Sequence, residues 1–235
     1  MKTANTTRHI RKLILAISFK LIFFAAVLFI PLQHIHWPKA WFFLAAFSIL
    51  LILSSIYLFI YHPKSLEARF ISLNVPNQSK KQKATTLVLI YAILKALLII
   101  PVDVFYLKLG INLPIWLHYL GFFIFLIGYF MILFSMIQNE FAAPVITIQK
   151  ERLHQLRNKG LYGSIRHPLY SGLVLFFVGL SLFLDSYVAA LSGIFFLMMG
   201  LVPRILLEEH LLKKELSGYK DYCKQVKYRL IPYLW

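Results

Sequence analysis

Arg166, His167 and Pro168 stand together in the run Gly160-Leu-Tyr162-Gly163-Ser-Ile-Arg166-His167-Pro168-Leu-Tyr170-Ser-Gly172. Further along comes a second polar group, Arg204-Ile-Leu-Leu-Glu208-Glu209. Pro168 pushes His167 out of the helical region and suits the first turn of a helix. Arg166 and His167 are therefore expected at a helix N-terminus, where backbone N–H groups and the helix dipole favour an anion. Gly160 and Gly163 let the preceding chain turn, and Gly172 lets another group approach the first helical turn closely. Arg204 and Glu208, four apart, share a helix face and can pair. Glu209 lies about 100° further round, near the stripe of Ile205, Leu212 and Leu216. Taken singly, these residues also fit a basic flank with a proline cap and a routine surface ion pair. Two glutamates at the foot of a membrane span are costly without partners, and their approach to Arg166 and His167 favours a site. No metal is expected. His34, His36 and His118 fall on the opposite side, and no carboxylate or thiol completes a ligand set around His167.

The elements that carry these groups are apolar helices. The chain has 235 residues, 60% of them hydrophobic and 14% charged, a balance that points to an all-α integral membrane protein. The formal charge of +16 raises the possibility of a nucleic-acid partner. The basic residues lie in loops between hydrophobic runs, so no nucleic acid is expected. Cys223 is the single cysteine and supports neither a disulfide framework nor a thiolate cluster. The windows 13–32, 41–61, 85–107, 115–137, 168–184 and 186–202 read as about six transmembrane helices. The last two are joined only by Asp185-Ser186 as a short hairpin.

The first window follows Lys2, Arg8, Arg11 and Lys12 without a clear cleavage site, and reads as a retained span. Lysines and arginines crowd the N-terminus, the 62–84 loop, the 138–166 connector and the C-terminal segment, while Lys39 and Lys108 face the other way. Both termini and the polar groups are therefore expected on the cytoplasmic side. Lys20 and Lys95 read as snorkelling side chains, and Trp37, Trp41 and Trp116 as interfacial anchors.

The chain changes character near residue 137, which separates a four-helix membrane region (1–137) from a polar, candidate catalytic region (138–235). The connector 138–166 contains Val145-Ile146-Thr147-Ile148 and Leu153-Leu156, which argue for order in a long loop. Pro203 is expected to end the sixth span, with a separate amphipathic helix running to Leu216. Tyr219, Tyr222 and Val226 share a helical face and are expected to fold back over the polar groups as a lid or wall.

The ordered set Gln149, His154, Gly160-x-Tyr162-x-x-x-Arg166-His167-Pro168-x-Tyr170-x-Gly172, Arg204-x-x-x-Glu208-Glu209 and Tyr219-x-x-Tyr222-x-x-x-Val226…Ile231-Pro232 resembles the isoprenylcysteine carboxyl methyltransferase family. That family sits in a wider group of membrane methyltransferases that includes phospholipid N-methyltransferases. The resemblance covers about residues 138–235, and its tail looks like that of prokaryotic members. It implies S-adenosylmethionine as methyl donor and S-adenosylhomocysteine as product. By position, Gln149, His154, Gln155, Leu156, Arg157, Tyr162, His167, Pro168, Leu169, Tyr170 and Glu208 look like the cofactor-contacting residues. Arg204 resembles the arginine that faces the acceptor.

A carboxylate acceptor would need no general base. An amine or thiol would, with His167, Tyr170 or Glu209 as candidates. The resemblance thus implies a lipophilic acceptor, a carboxylate of isoprenylcysteine type first, with phospholipid N- or thiol S-methylation as alternatives. A nicotinamide-dependent membrane reductase and a small transporter are the readings from other classes; a transporter would place polar groups at mid-membrane in broken helices.

Overall fold

Helix starts follow local chemistry. In the computed structural model, which describes residues 2–71, 78–109 and 114–235, α1 is Lys2–Phe29. The side chains of Lys2 and Arg8, counted above among the basic flank, lie outside the described residues. Prolines pre-set for helix open α2 (Pro38–Tyr61), the short α3 (Pro63–Arg69) and α6 (Pro168–Phe183). α4 (Lys80–Val102) begins with a capping box, in which Ser79 and Gln82 each satisfy the other's backbone N–H. It runs on as a π-turn over Asp103–Leu107. α5 is Ile115–Gln138 and α8 is Tyr219–Gln225. α7 (Tyr187–Glu215) is capped by Ser186, whose hydroxyl accepts from the Ala189 N–H.

The described secondary structure is all helical. Five stretches are long and apolar enough to cross a bilayer: His9–Leu32, Pro38–Tyr61, Lys80–Leu107, Ile115–Gln138 and Tyr187–Glu215. Their outer faces expose Phe19, Ile22, Leu53, Phe123, Leu191 and Phe195, a surface suited to lipid. The fifth expected span, α6, has 16 residues. Its length of about 24 Å falls short of a hydrocarbon core of about 30 Å.

Two helix pairs position the site. α5 and α6 touch through facing glycines, Gly121 with Gly179 and Gly128 with Gly172. A Cβ on Gly179 would lie 2.1 Å from the Phe125 nitrogen, and one on Gly128 2.3 Å from the Phe176 nitrogen. Small residues that let backbones meet are how helices associate in lipid. The group expected to approach Gly172 closely is thus the backbone of α5. α7 packs on α4 in a looser version of the same contact, with Gly200 against Leu89 and Ala92.

Three expectations change. Pro203 lies inside α7 and does not end it. Proline forfeits one backbone bond, whereas ending the helix would strip several carbonyls of partners beside lipid. Trp37 is buried against Phe29 and Phe105, while Trp41 and Trp116 are exposed as anchors would be. The Arg204–Glu208 pair is indirect, as described below. Lys20 and Lys95 are exposed.

At the end of the α6–α7 hairpin remote from His167, Asp185 is held by Lys39 Nζ at 2.6 Å and faces His118 Nε2 at 2.5 Å. The latter is a close contact without the alignment of a hydrogen bond. Beside it, Ser186 Oγ donates to the buried Asp103 carboxylate at 2.5 Å.

Candidate active site

The connector is ordered by its own side chains. Gln149 is buried, donates to the Phe141 carbonyl at 2.6 Å and accepts from Arg152 at 2.5 Å. Phe141 lies flat on His154, with ring centroids 4.4 Å apart, and Arg157 pairs with Glu140 at 2.5 Å. Gly160 takes φ +60°, and a Cβ there would collide with the Gln138 amide, so glycine is required at this turn. Gln138 Oε1 then accepts the Leu161 N–H at 2.8 Å. Burial lowers the His154 imidazole to about 4, with Glu208 pulling the other way; the ring is neutral at neutral pH. Burial also pushes the Tyr162 phenol up to about 12.

The two polar groups read from the sequence meet at the foot of the hairpin. Glu209, 2% exposed, accepts from Arg166 Nε at 2.7 Å and Arg229 Nε at 3.2 Å, and lies 3.3 Å from His167 Nε2 and 3.7 Å from Lys213 Nζ. The backbone N–H groups of Arg166 and His167 donate to the Tyr228 and Arg229 carbonyls of the C-terminal tail at 3.0 and 2.9 Å. Those N–H groups were expected to be available to an anion. Instead they hold the tail, while the side chains of Arg166 and His167 meet the protein's own Glu209. Arg166 adds bonds to the Val226 and Lys227 carbonyls, and Ser171 donates to the Leu230 carbonyl.

Glu208 and Arg204 connect through a phenol. The Tyr170 hydroxyl donates to Glu208 Oε2 at 2.7 Å and accepts from Arg204 Nε at 2.7 Å. Arg204, 2% exposed, also donates through Nη1 to Thr86 Oγ1 and through Nη2 to the Pro144 carbonyl, each at 2.8 Å.

A cleft with an enclosed volume of about 90 Å³, open on one side, lies between connector, hairpin and tail. His154, Gln155, Leu156, Arg157, Tyr162, His167, Leu169, Tyr170 and Glu208 line it. Gln149 and Pro168 do not, and Arg204 and Glu209 stand behind its wall. Tyr219 and Tyr222 close one side; burial raises both phenols, and Tyr222 donates to the Tyr162 carbonyl at 2.7 Å. With Val226 they pack on Leu156, Leu212 and Leu216, as the shared face suggested.

Sequence reasoning missed Asn139, Phe141 and Thr147 on the lining, and Thr86 and Pro144 as partners of Arg204. Thr86 alone carried a signal, since it continues the buried stripe Leu89, Ala92, Ala96 and Ile100 of α4.

Residues 116–217 match the model of the phospholipid methyltransferase family. The segment that builds the hairpin site is thus similar to that family. A curated relative, protein-S-isoprenylcysteine O-methyltransferase B of Arabidopsis thaliana, is 32% identical over 83 residues, 35% of this chain and 42% of the relative's length. The chain thus matches less than half of that relative. The matched segment takes in α5 from Trp116 onward, which carries no motif, and stops short of the tail. Its start at α5 agrees with the glycine contact that makes α5 and α6 one unit.

Proposed function

We propose that this chain is a multi-pass membrane methyltransferase that moves a methyl group from S-adenosylmethionine to a lipophilic acceptor, foremost a carboxylate of isoprenylcysteine type. The observation that carries the reading is the cleft in which Glu208 and Tyr170 of the family-matched hairpin face His154 and Leu156 of the connector. Its lining suits a zwitterionic nucleoside sulfonium. Val145, Ile146, Leu156 and Leu212 offer apolar faces for a base. Glu208 offers a carboxylate for the ammonium group or ribose, and the Leu169 N–H at the start of α6 has no partner among the described residues. His154, Gln155, Arg157, Tyr162 and His167 complete the wall.

S-adenosylmethionine supplies, when bound, an electrophilic methyl group on a sulfonium. The protein's work is then to position and to exclude water. Tyr219 and Tyr222 wall the cleft, and Tyr170 fixes Glu208 and Arg204 relative to each other. A carboxylate acceptor is ionised at neutral pH and needs no base. This agrees with a Glu209 engaged by two arginines and a Tyr170 whose hydrogen already serves Glu208. It leaves His167, which lines the cleft, as the remaining base candidate among the three. By the positive-inside rule, the basic loops at this end of the helices support a cytoplasmic site with cytoplasmic termini.

Titration calorimetry with S-adenosylhomocysteine tests the reading. Wild-type protein should bind saturably, and Glu208→Ala should weaken binding by about tenfold or more, the loss of a charge-assisted bond. No binding by wild type would sink the proposal. An amine on a phospholipid is the second reading, favoured by the family matched at 116–217. Methylated product that resists mild base is an amine product; product released as methanol is a carboxyl ester.

A further inference from the structure

Arg69, the last residue of α3, carries a guanidinium whose buried Nε and Nη2 have no hydrogen-bond partner among the described residues. These two atoms form one edge of the guanidinium, the edge whose parallel N–H groups match a carboxylate or phosphate in bidentate fashion. Arginine stays protonated in proteins, so Arg69 cannot escape its burial by losing the charge. A buried guanidinium edge left without partners is unfavourable, and none lies on it among the described residues. The ionisable groups that act on Arg69 are Tyr162, Tyr170, Arg204 and Lys20, and no carboxylate is among them. The corresponding edge of Arg204 is filled by Tyr170 and the Pro144 carbonyl. Two guanidinium groups therefore share one neighbourhood. One is satisfied by the protein and the other is not.

α3 is also held rigidly. Ser65 Oγ donates to the Met136 carbonyl at the end of α5, and Arg152 Nη2 donates to the Lys64 carbonyl at 2.7 Å. Arg69 is thus presented by a docked helix. Only His62 separates α3 from α2, a helix long enough to cross the bilayer, so the group lies at the membrane surface.

We propose that the Nε/Nη2 edge of Arg69 binds the oxyanion of a membrane-borne ligand, a carboxylate or a phosphate, beside Tyr170 and Arg204. That this anion belongs to the methyl acceptor rests on the proposed methyl transfer; the anion site itself does not. Arg204 is then the positioning residue that holds Tyr170 and Glu208, and Arg69 the residue that selects a charged ligand. Arg69 lies outside the family-matched segment, where acceptor preference can differ among relatives that share the hairpin.

The test uses the full chain in detergent micelles with three probes: oleate, methyl oleate and 1-oleoyl lysophosphatidate. Wild type should bind oleate or the lysophosphatidate about tenfold or more tighter than the neutral ester, the scale of a charge-assisted bond. Greater affinity for the carboxylate identifies an acid as the source of the anion, and greater affinity for the phosphate a phospholipid headgroup. Arg69→Met should lose the discrimination and melt at a higher temperature without ligand, because it removes an uncompensated charge. A purely structural arginine would lower the melting temperature on replacement. Arg69→Lys should keep the charge preference in part. Equal affinity for acid and ester in wild type, or a preference that survives Arg69→Met, would overturn the proposal. S-adenosylhomocysteine binding, measured in parallel, reports on the methyl-transfer reading separately: its absence with the anion preference intact removes that reading and leaves the site.

Discussion

Tyr170 gives its hydroxyl hydrogen to Glu208 across 2.7 Å, and the same oxygen receives Arg204 Nε at 2.7 Å. Tyr170→Phe keeps the ring and its stacking on His167 but leaves both charged neighbours short of a partner. Bonds to charged groups contribute about 1.5–3 kcal/mol. S-adenosylhomocysteine affinity or turnover should therefore fall by about tenfold to a hundredfold, with little change in expression. Calorimetry and a radiolabelled methyl-transfer assay separate the two.

Glu209 should behave as a structural residue. Glu209→Gln leaves Arg166 and Arg229 without their buried countercharge, a loss on the order of 3–5 kcal/mol. The melting temperature should drop and the tail 219–235 should become sensitive to protease. Glu208→Gln, at a partly exposed position, should change ligand binding and leave stability nearly untouched. Reversal of this pattern would assign the chemistry to Glu209.

The hairpin was legible because Arg166-His167-Pro168 combines a conformational restriction with charge, and because Asp185-Ser186 is too short a link to let the two helices diverge. What the sequence could not tell is which anion the helix start receives. Glu209 and an external ligand satisfy the same rule; the Arg166 and His167 N–H groups go to the tail's carbonyls, while the Leu169 N–H has no partner among the described residues. Pro203 misled because proline is a helix stop in water and a tolerated defect in lipid. Arg69 was invisible as a site, because a basic residue in a loop-like stretch looks like any other positive flank until its burial is known.

The α5–α6 contact gives a pair of opposite outcomes. Gly179→Ala would put a methyl group 2.1 Å from the Phe125 nitrogen. Forcing the helices apart should cost about 1–3 kcal/mol and displace Tyr170. Gly193→Ala meets only the Ala96 methyl at 3.6 Å, an ordinary contact. It should be neutral or stabilise α7 by up to about 1 kcal/mol. Thermal unfolding in detergent checks both.

Acidification should loosen the connector. His154 is lowered from 6.5 to about 4 by burial, against the pull of Glu208. Between those values the unfolded chain binds more protons than the folded one, so stability is complete above about pH 6.5 and declines as pH falls toward 4. His154→Gln should flatten the melting temperature over that window. An unchanged profile would mean that His154 is not enclosed in solution.

Because α7 runs unbroken from Tyr187 to Glu215, it is a single rod of about 44 Å whose outer part stands in lipid and whose inner part bears Arg204, Glu208 and Glu209. A helix longer than the bilayer responds to thickness by tilting. In a jointed helix that tilt would be lost at Pro203; in a continuous one it reaches the carboxylates. The thickness of the surrounding membrane is thereby expected to enter the geometry of the cleft.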